Sequence, residues 1–326
     1  MKYVIVGTGN ISNTYVKAIS ELEHSELVGC ISRSGKHLPA NAEAPCWPSL
    51  AAVKADFDAV IVTTPNGLHC QGAIEAAKLG KHVLTEKPLG ITIEQVDQAI
   101  AACEQAGLTL AVCFQRRTSP DNQAIKELLS KNALGRIFSA DLSAKFYRGQ
   151  DYYDSAAYRG GYDIDGGGPF MQQACHNLDL YTWFFGLPTK VVSTMGTFAH
   201  NIQAEDHGAA LLKYDNGMIG SVVASTATWP GFAARLEVHS DKGSFTMTDD
   251  VISQWHFEDI PNPSDSNFNY NHDGATSAAV DDCSAHKSIL LDFEDAIAQG
   301  RAPLANAQSA RQTTALISQI YQSTNW

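Results

Sequence analysis

Short apolar runs alternate with helix-period patterns through the first third of the chain. Tyr3–Val6, Leu27–Ile31, Ala59–Thr63, His82–Thr85 and Thr109–Phe114 have strand length, and their spacing predicts repeated βαβ units on a parallel sheet. Between the first two runs, Ile11, Tyr15, Ala18 and Ile19 recur at helical spacing and predict one apolar stripe against that sheet. Thr92 with Gln95 three residues on forms a capping box, Val96, Ile100 and Cys103 continue the period, and Gly107 supplies a left-handed stop.

Beyond residue 120 the period changes from helical to two. Phe138, Ala140, Leu142, Ala144 and Phe146 alternate with Ser139, Asp141, Ser143 and Lys145, the pattern of a half-buried strand. Asn216-Gly217 between Ala209–Leu212 and Ile219–Ala224 predicts a tight hairpin, and Asp241-Lys242-Gly243 between Leu236–Val238 and Phe245–Met247 predicts another. Asp259 to Ser277, rich in Asn, Asp, Pro and Ser, is expected to be a long loop. The expected architecture is a doubly wound α/β Rossmann domain over residues 1–119. An α+β domain with an open, mainly antiparallel sheet follows over residues 120–326, carrying the substrate site and the oligomer contacts.

The first strand runs into Gly7-Thr8-Gly9-Asn10-Ile11-Ser12 and then a helix. Glycines there let the backbone approach a pyrophosphate seated on the helix N-terminus. Ser12 stands where a third glycine is usual, and is small enough to keep helix and strand close. At the end of the second strand the chain reads Ser32-Arg33-Ser34, then Lys36, with no carboxylate for a ribose 2′-hydroxyl. A hydroxyl and a guanidinium suit a 2′-phosphate, so NADP(H) is expected over NAD(H).

Composition narrows the partners. The 326 residues carry 23 basic and 35 acidic side chains, a net charge of −12, which disfavours phosphate backbones and anionic membranes. The same charge makes a strongly anionic substrate less natural unless a local Arg or Lys cluster overrides it. Seven cysteines without a C-x-x-C pair suggest neither a disulfide framework nor a zinc site, and no metal is expected. Met1-Lys2 leads straight into the short apolar run Tyr3–Val6, with no long hydrophobic region followed by a small-residue cleavage site, so a cytoplasmic location is expected.

Two strings, Thr63-Thr64-Pro65-Asn66-Gly67-Leu68-His69 and Gly80-Lys81-His82-Val83-Leu84-Thr85-Glu86-Lys87-Pro88-Leu89, resemble the glucose-fructose oxidoreductase, inositol dehydrogenase and MocA family. The similarity continues through Gly135-Arg136-Ile137, then Gly166-Gly167-Gly168 with His176 and Asp179, and reaches the His286–Pro303 region. The resemblance implies a Rossmann domain followed by an open-sheet domain. It also implies that the Pro65-Asn66 turn runs along the cofactor and that the Glu86-Lys87-Pro88 segment sets its lysine near the nicotinamide and the substrate hydroxyl. The cofactor set expected from turn and family together is Gly7, Thr8, Gly9, Asn10, Ile11, Ser32, Arg33, Thr64, Pro65, Asn66, His69, Glu86 and Lys87.

Lys87 taken alone would be a solvated surface charge. It follows the carboxyl end of a predicted parallel strand, where ligands bind in open α/β sheets, and there it can hydrogen-bond the reacting oxygen. The glycines at 166–168 are expected to open a helix with Gln172, His176 and Asp179 on one face. Histidine as a residue type ordinarily titrates near neutrality, which makes His176 the expected acid/base. Many relatives have an aspartate where this chain has Gln172, so Lys87 is expected to carry more of the proton chemistry. Arg116, Tyr147, Arg148, Tyr152 and Tyr153 suit a polyol pocket, with Arg116, Tyr147, Gln172, Gln173 and Asp179 the substrate candidates.

These residues point to an NAD(P)-dependent dehydrogenase or reductase moving hydride between the nicotinamide and a secondary alcohol or ketone of a sugar, cyclitol or sugar derivative. Two rivals share parts of the pattern, a glycosidase that retains its dinucleotide and a non-catalytic cofactor or sugar sensor. The latter has no use for Lys87 and His176. The expected partners are a small polyol or sugar and further copies of the chain, as a homodimer or homotetramer through the C-terminal sheet.

Overall fold

The computed structural model describes residues 1–41, 43–264 and 282–324. In chain order the elements are β1 (Lys2–Val6), α1 (Asn10–Ser20), β2 (Glu26–Ile31), β3 (Cys46–Trp47), β4 (Ala59–Val62), α2 (His69–Lys78), β5 (His82–Thr85), α3 (Ile93–Gln105) and β6 (Leu110–Val112). They continue with α4 (Pro120–Ser130), β7 (Ile137–Lys145), α5 (Gln150–Asp154), α6 (Cys175–Phe185), β8 (Lys190–Gly196), β9 (His207–Lys213) and β10 (Ile219–Ser225). Last come β11 (Arg235–Ser240), β12 (Gly243–Thr248), β13 (Val251–Phe257), α7 (Ser284–Gln299) and α8 (Ala307–Gln322).

Two compact units divide the chain, Met1–Thr118 with Val280–Thr314 and Ser119–Ala279 with Ala315–Trp326. The single boundary expected at 119/120 thus lies one residue from the first crossing, but the chain crosses back. The reason is visible on α7, where Ile289, Leu290, Phe293 and Ala296 form a buried stripe and the helix packs on α1. Tyr3 of β1 adds a hydrogen bond, its hydroxyl donating to Glu294 at 2.8 Å.

The first unit holds a six-stranded sheet in the order β3-β2-β1-β4-β5-β6, all pairs parallel. This is the doubly wound order of dinucleotide-binding domains. Every residue of β4 is fully buried, as a central parallel strand covered on both faces requires. Register matters more for the site. Val6 pairs with Ile31 and Val62, Val62 with Thr85, and Thr85 with Val112. The ends of five strands are therefore in line, and Gly7, Ser32, Thr63, Glu86 and Cys113 leave the sheet along one edge. On α3, the Thr92 side chain accepts from the Gln95 N–H at 3.3 Å, and Gly107 follows with φ +66°.

The second unit is a seven-stranded sheet ordered β13-β12-β11-β7-β10-β9-β8. Only β7 and β10 run parallel; the other pairs are antiparallel. Both expected hairpins form. Gly217 sits at φ +87°, and the Tyr214 N–H donates across that turn to Met218 O at 3.0 Å. A third hairpin joins β12 to β13 through Asp249 and Asp250, at φ +45° and +70°. Both are left-handed, the geometry of a type I′ turn, but an Asp-Asp pair without glycine is no clear signal for it. Of the loop expected over 259–277, only 259–264 belongs to the described residues. Among the described residues no helix is long and apolar enough to cross a membrane.

Candidate cofactor and active site

Gly7 leaves β1 at φ +107°, and a Cβ there would lie 2.9 Å from the backbone of Thr63. Only glycine fits this approach. The Thr63 hydroxyl lies 3.1 Å from both Val6 O and Gly7 O, as donor to that bend. Gly9 precedes α1 in extended conformation, with no side chain capping the helix and no acid in its first turn. The Ser12 N–H turns back to Gly9 O at 3.1 Å, and the positive end of the helix dipole at Asn10 and Ile11 suits an anion. Ser12 is fully buried and donates to Gly9 O at 2.6 Å, so the third-glycine position is filled by a satisfied hydroxyl. These features fit a dinucleotide pyrophosphate.

Past β2, Ser32 accepts the Lys36 N–H at 3.1 Å and meets the Ser34 hydroxyl at 3.2 Å. Arg33 and Lys36 are exposed. The tight turn gathers two hydroxyls and two cations at the strand end.

Thr64, Pro65 and Asn66 follow β4, and a short 3-10 turn over Asn66–Leu68 leads into α2. His69, expected beside the cofactor, is used otherwise: its ring nitrogens lie 2.6 Å from Pro88 O and 2.7 Å from Thr64 O, and the residue is buried. Both polar atoms of the ring are spent tying the Pro65-Asn66 turn to the Lys87-Pro88 segment, whose peptide bond is cis. Burial holds the His69 pKa below its ordinary value.

Glu86 is the hub behind Lys87. One oxygen accepts the Tyr15 hydroxyl at 2.7 Å, and the other accepts the Lys87 backbone N–H at 3.1 Å. The His286 ring, on α7, brings Nε2 to 3.8 Å from the first oxygen and stands edge-on to Tyr15 with centroids 5.3 Å apart. Burial pushes the Tyr15 phenol and the Cys113 thiol well above their ordinary values and lowers that of His286, so all three are neutral at pH 7. Glu86, Cys113 and His286 bring metal-ligand atoms within 4.8 Å of one another. Both carboxylate oxygens are already engaged by donors, which makes the cluster a hydrogen-bonded support for the Lys87 backbone.

Arg116 belongs to a 3-10 turn just past β6. Its neighbour Arg117 is fully buried and donates to Leu304 O at 3.1 Å and the Ser309 hydroxyl at 2.8 Å. It fixes the returning C-terminal segment to the sheet end. Lone arginines carry no periodic signal, so nothing in the sequence marks it.

The second unit contains the glycine segment. A Cβ on Gly168 would lie 1.9 Å from Glu205 O, and one on Gly167 would lie 2.1 Å from the Tyr321 hydroxyl. Glu205 is fully buried; it accepts Tyr321 Oη–H at 2.8 Å and the Gly168 N–H at 3.2 Å. The helix expected to open at these glycines starts later, at Cys175. Gly166 and Gly167 have positive φ, and Gly168 O and Pro169 O accept turn hydrogen bonds from Met171, Gln172 and Ala174 instead. Gln172 therefore precedes the helix, and the shared face narrows to His176 and Asp179. The Gln172 amide donates to Asp165 O at 2.7 Å. Asp179 is buried, His176 half-buried. Gln173 donates to the Tyr152 hydroxyl at 3.1 Å, and Tyr147 stacks edge-on against Trp229 at 4.9 Å. Of the two catalytic candidates, Lys87 stands in the first unit and His176 in the second.

A parallel sheet in dinucleotide order, with a glycine cradle and an uncapped helix start at its carboxyl edge, defines a nucleotide-dependent enzyme of the Rossmann class. Comparison with known proteins specifies it. Residues 1–114 match the oxidoreductase family with an NAD-binding Rossmann fold, and residues 122–246 match the GFO/IDH/MocA C-terminal domain. The chain belongs to the GFO/IDH/MocA family of oxidoreductases. It is 30% identical over 236 residues to D-xylose 1-dehydrogenase (NADP(+)) 2 of Haloferax volcanii, covering 70% of each chain. Inositol 2-dehydrogenase of Rhizobium meliloti is 24% identical over 257 residues, covering 75% of this chain and 74% of that one. Among solved structures, the WlbA dehydrogenase from Bordetella pertussis, in complex with NADH and UDP-GlcNAcA, superposes with a TM-score of 0.86. It is 29% identical and covers 99% of this chain and 95% of its own.

Proposed function

We propose that this oxidoreductase transfers hydride between a nicotinamide and a CH–OH or ketone carbon of a sugar, cyclitol or sugar derivative. The observation carrying the reading is Glu86, which holds the Lys87 backbone at the carboxyl edge of the sheet between the cofactor turn at Gly7 and the end of β6. The dehydrogenase relatives named above support the substrate class. A bound nicotinamide dinucleotide supplies or accepts the hydride. The chain's residues do the rest. Gly7, Gly9 and the N–H groups of Asn10 and Ile11 hold the pyrophosphate, and Thr64, Pro65 and Asn66 flank the dinucleotide. Lys87 hydrogen-bonds the reacting oxygen and stabilises its developing negative charge, and His176 exchanges the hydroxyl proton.

Ser32 and Arg33 favour NADP(H), since relatives of this chain use either cofactor and no carboxylate occupies the Ser32–Lys36 turn. The seven cysteines are all free, in keeping with a reducing cytoplasm. Self-association through the second sheet is part of the same reading. Val192, Leu211 and Ile219 are 54%, 60% and 60% exposed, and the register places them on one face. The test is a scan of sugars, cyclitols and keto-sugars with NADP(H) and NAD(H), following nicotinamide absorbance. Turnover of a member of the panel supports the reading; absence of turnover across it, with cofactor shown to bind, overturns it.

A further inference from the structure

The second unit holds a pocket of about 470 Å³ between α5, residues 156–161 and residues 201–203. That volume suits a monosaccharide with a substituent. Arg159 forms part of its wall. The guanidinium carbon lies 4.3 Å from the centre of the Tyr152 ring, and Arg148 approaches the same ring at 5.8 Å. Two cations on one tyrosine are unexpected in a chain with a net charge of −12. Among the described residues Arg159 has no carboxylate partner, and its buried Nε has no hydrogen-bond partner. The acid on the pocket wall, Asp154, is exposed and accepts the Gln150 amide at 3.0 Å, and the buried Asp165 behind the wall accepts the Gly160 N–H at 3.0 Å.

Stacking uses the face of a guanidinium and leaves its N–H edge available. That planar edge matches a carboxylate or phosphate in two parallel hydrogen bonds. The stack is also tied to the chemistry. Tyr152 receives the Gln173 amide at 3.1 Å, and Gln173 lies three residues before His176. We propose that Arg159 anchors an anion subsite and that the substrate is a sugar derivative bearing a carboxylate or phosphate, rather than a neutral polyol. Resting on the hydride-transfer reading above, this narrows its substrate class.

The test compares glucose with glucuronate, glucose 1-phosphate, UDP-glucose and UDP-glucuronate in the wild-type protein and in Arg159→Ala and Arg159→Lys, with saturating cofactor. In the wild type, at least one charged compound is expected to exceed glucose in kcat/KM by about tenfold or more, one good charge-assisted pair. Arg159→Ala is expected to reduce that ratio about tenfold or more, mainly through KM, and Arg159→Lys to restore part of it. The carboxylate and phosphate arms show which group is read. A ratio of charged to neutral substrate that is unchanged in Arg159→Ala, or a wild type that prefers glucose, overturns the proposal.

Ligand-induced thermal stabilisation by the same compounds supplies a readout independent of turnover. If no compound changes nicotinamide absorbance, the hydride-transfer reading fails, while stabilisation by an anionic sugar that is lost in Arg159→Ala still supports the subsite. Absence of such stabilisation in the wild type overturns it.

Discussion

The hydroxyl of Tyr15, in the first helix, donates to Glu86 at 2.7 Å across 71 residues of sequence, and Glu86 in turn accepts the Lys87 N–H. A residue of the helix that follows the glycine turn thus supports the lysine proposed to touch substrate. Tyr15→Phe keeps the ring and its packing on His286 but removes the donor from a buried carboxylate. The expected cost is about 1–3 kcal/mol of stability, read by urea denaturation. The turnover number is expected to fall more than the cofactor Kd rises, because the lost bond bears on Lys87. A variant with wild-type stability and turnover would show that Glu86 needs no such support.

The turn after β2 predicts cofactor choice. Arg33→Ala removes the one guanidinium in a segment that otherwise offers Ser32, Ser34 and Lys36. The Kd for NADPH is expected to rise about tenfold, or about 1.4 kcal/mol, with the Kd for NADH changing far less. Fluorescence titration with both cofactors checks this. Equal wild-type affinity for the two would defeat the NADP(H) assignment.

Much of the first unit was legible because its strands are continuous apolar runs with glycine or polar residues at their ends, so Gly7, Ser32, Thr63 and Glu86 were marked by position. The return of α7 was not. The Ile289, Leu290 and Phe293 stripe announces a buried face but not which sheet buries it, since docking depends on contacts more than two hundred residues apart. The same limit hid His286 and Arg117, whose partners are distant in sequence. In the second unit the glycines at 166–168 were legible as a turn. Their tight approach to Glu205 and Tyr321, which delays the helix to Cys175, was not, because no local pattern links 168 to 205 or 321. Arg148 and Tyr152 were legible as polar-aromatic pocket candidates, but their stacking with Arg159 is a tertiary fact.

Lys87 and His176 are proposed to divide the proton chemistry, and Gln172 bears on the division. Its side chain lacks the charge that would raise the histidine's pKa, and its amide is spent on Asp165 O. Lys87→Met is therefore expected to lose more turnover than His176→Ala, with the larger loss on the order of 10²–10⁴-fold. Steady-state kinetics on the best substrate decides, and the opposite ranking assigns the proton to His176.

The exposed apolar face of the second sheet predicts association. Val192 pairs with Leu211, and Ile219 lies two residues from Ser221, the partner of Leu211 on the next strand. Leu211→Glu with Ile219→Glu places two charges on this face while leaving the buried side of the sheet untouched. Light scattering is expected to show a dimer or tetramer for the wild type and a smaller species for the double variant. An unchanged mass would place the contact elsewhere.

Glu205 gives a stability prediction with a definite sign. Burial pushes its carboxyl up from 4.5 to about 7, against the lowering effect of the Tyr321 and Gly168 hydrogen bonds. In the unfolded chain the value returns to about 4.5. Between these values the folded protein keeps a proton that the unfolded chain has lost, so folding is favoured most below about pH 4.5. That contribution declines as pH rises to about 7 and is constant above it. A difference of about 2.5 units corresponds to about 3 kcal/mol across the window. Glu205→Gln keeps the shape and a hydrogen-bonding end but does not titrate. Other groups titrate in both proteins, so the quantity to follow is wild-type minus variant stability, from urea denaturation at pH values between 4.5 and 8. It is expected to fall by about 3 kcal/mol toward the alkaline side. Parallel profiles would mean that Glu205 carries its charge in the folded state at no cost, and that its bonds to Tyr321 and Gly168 fully offset its burial.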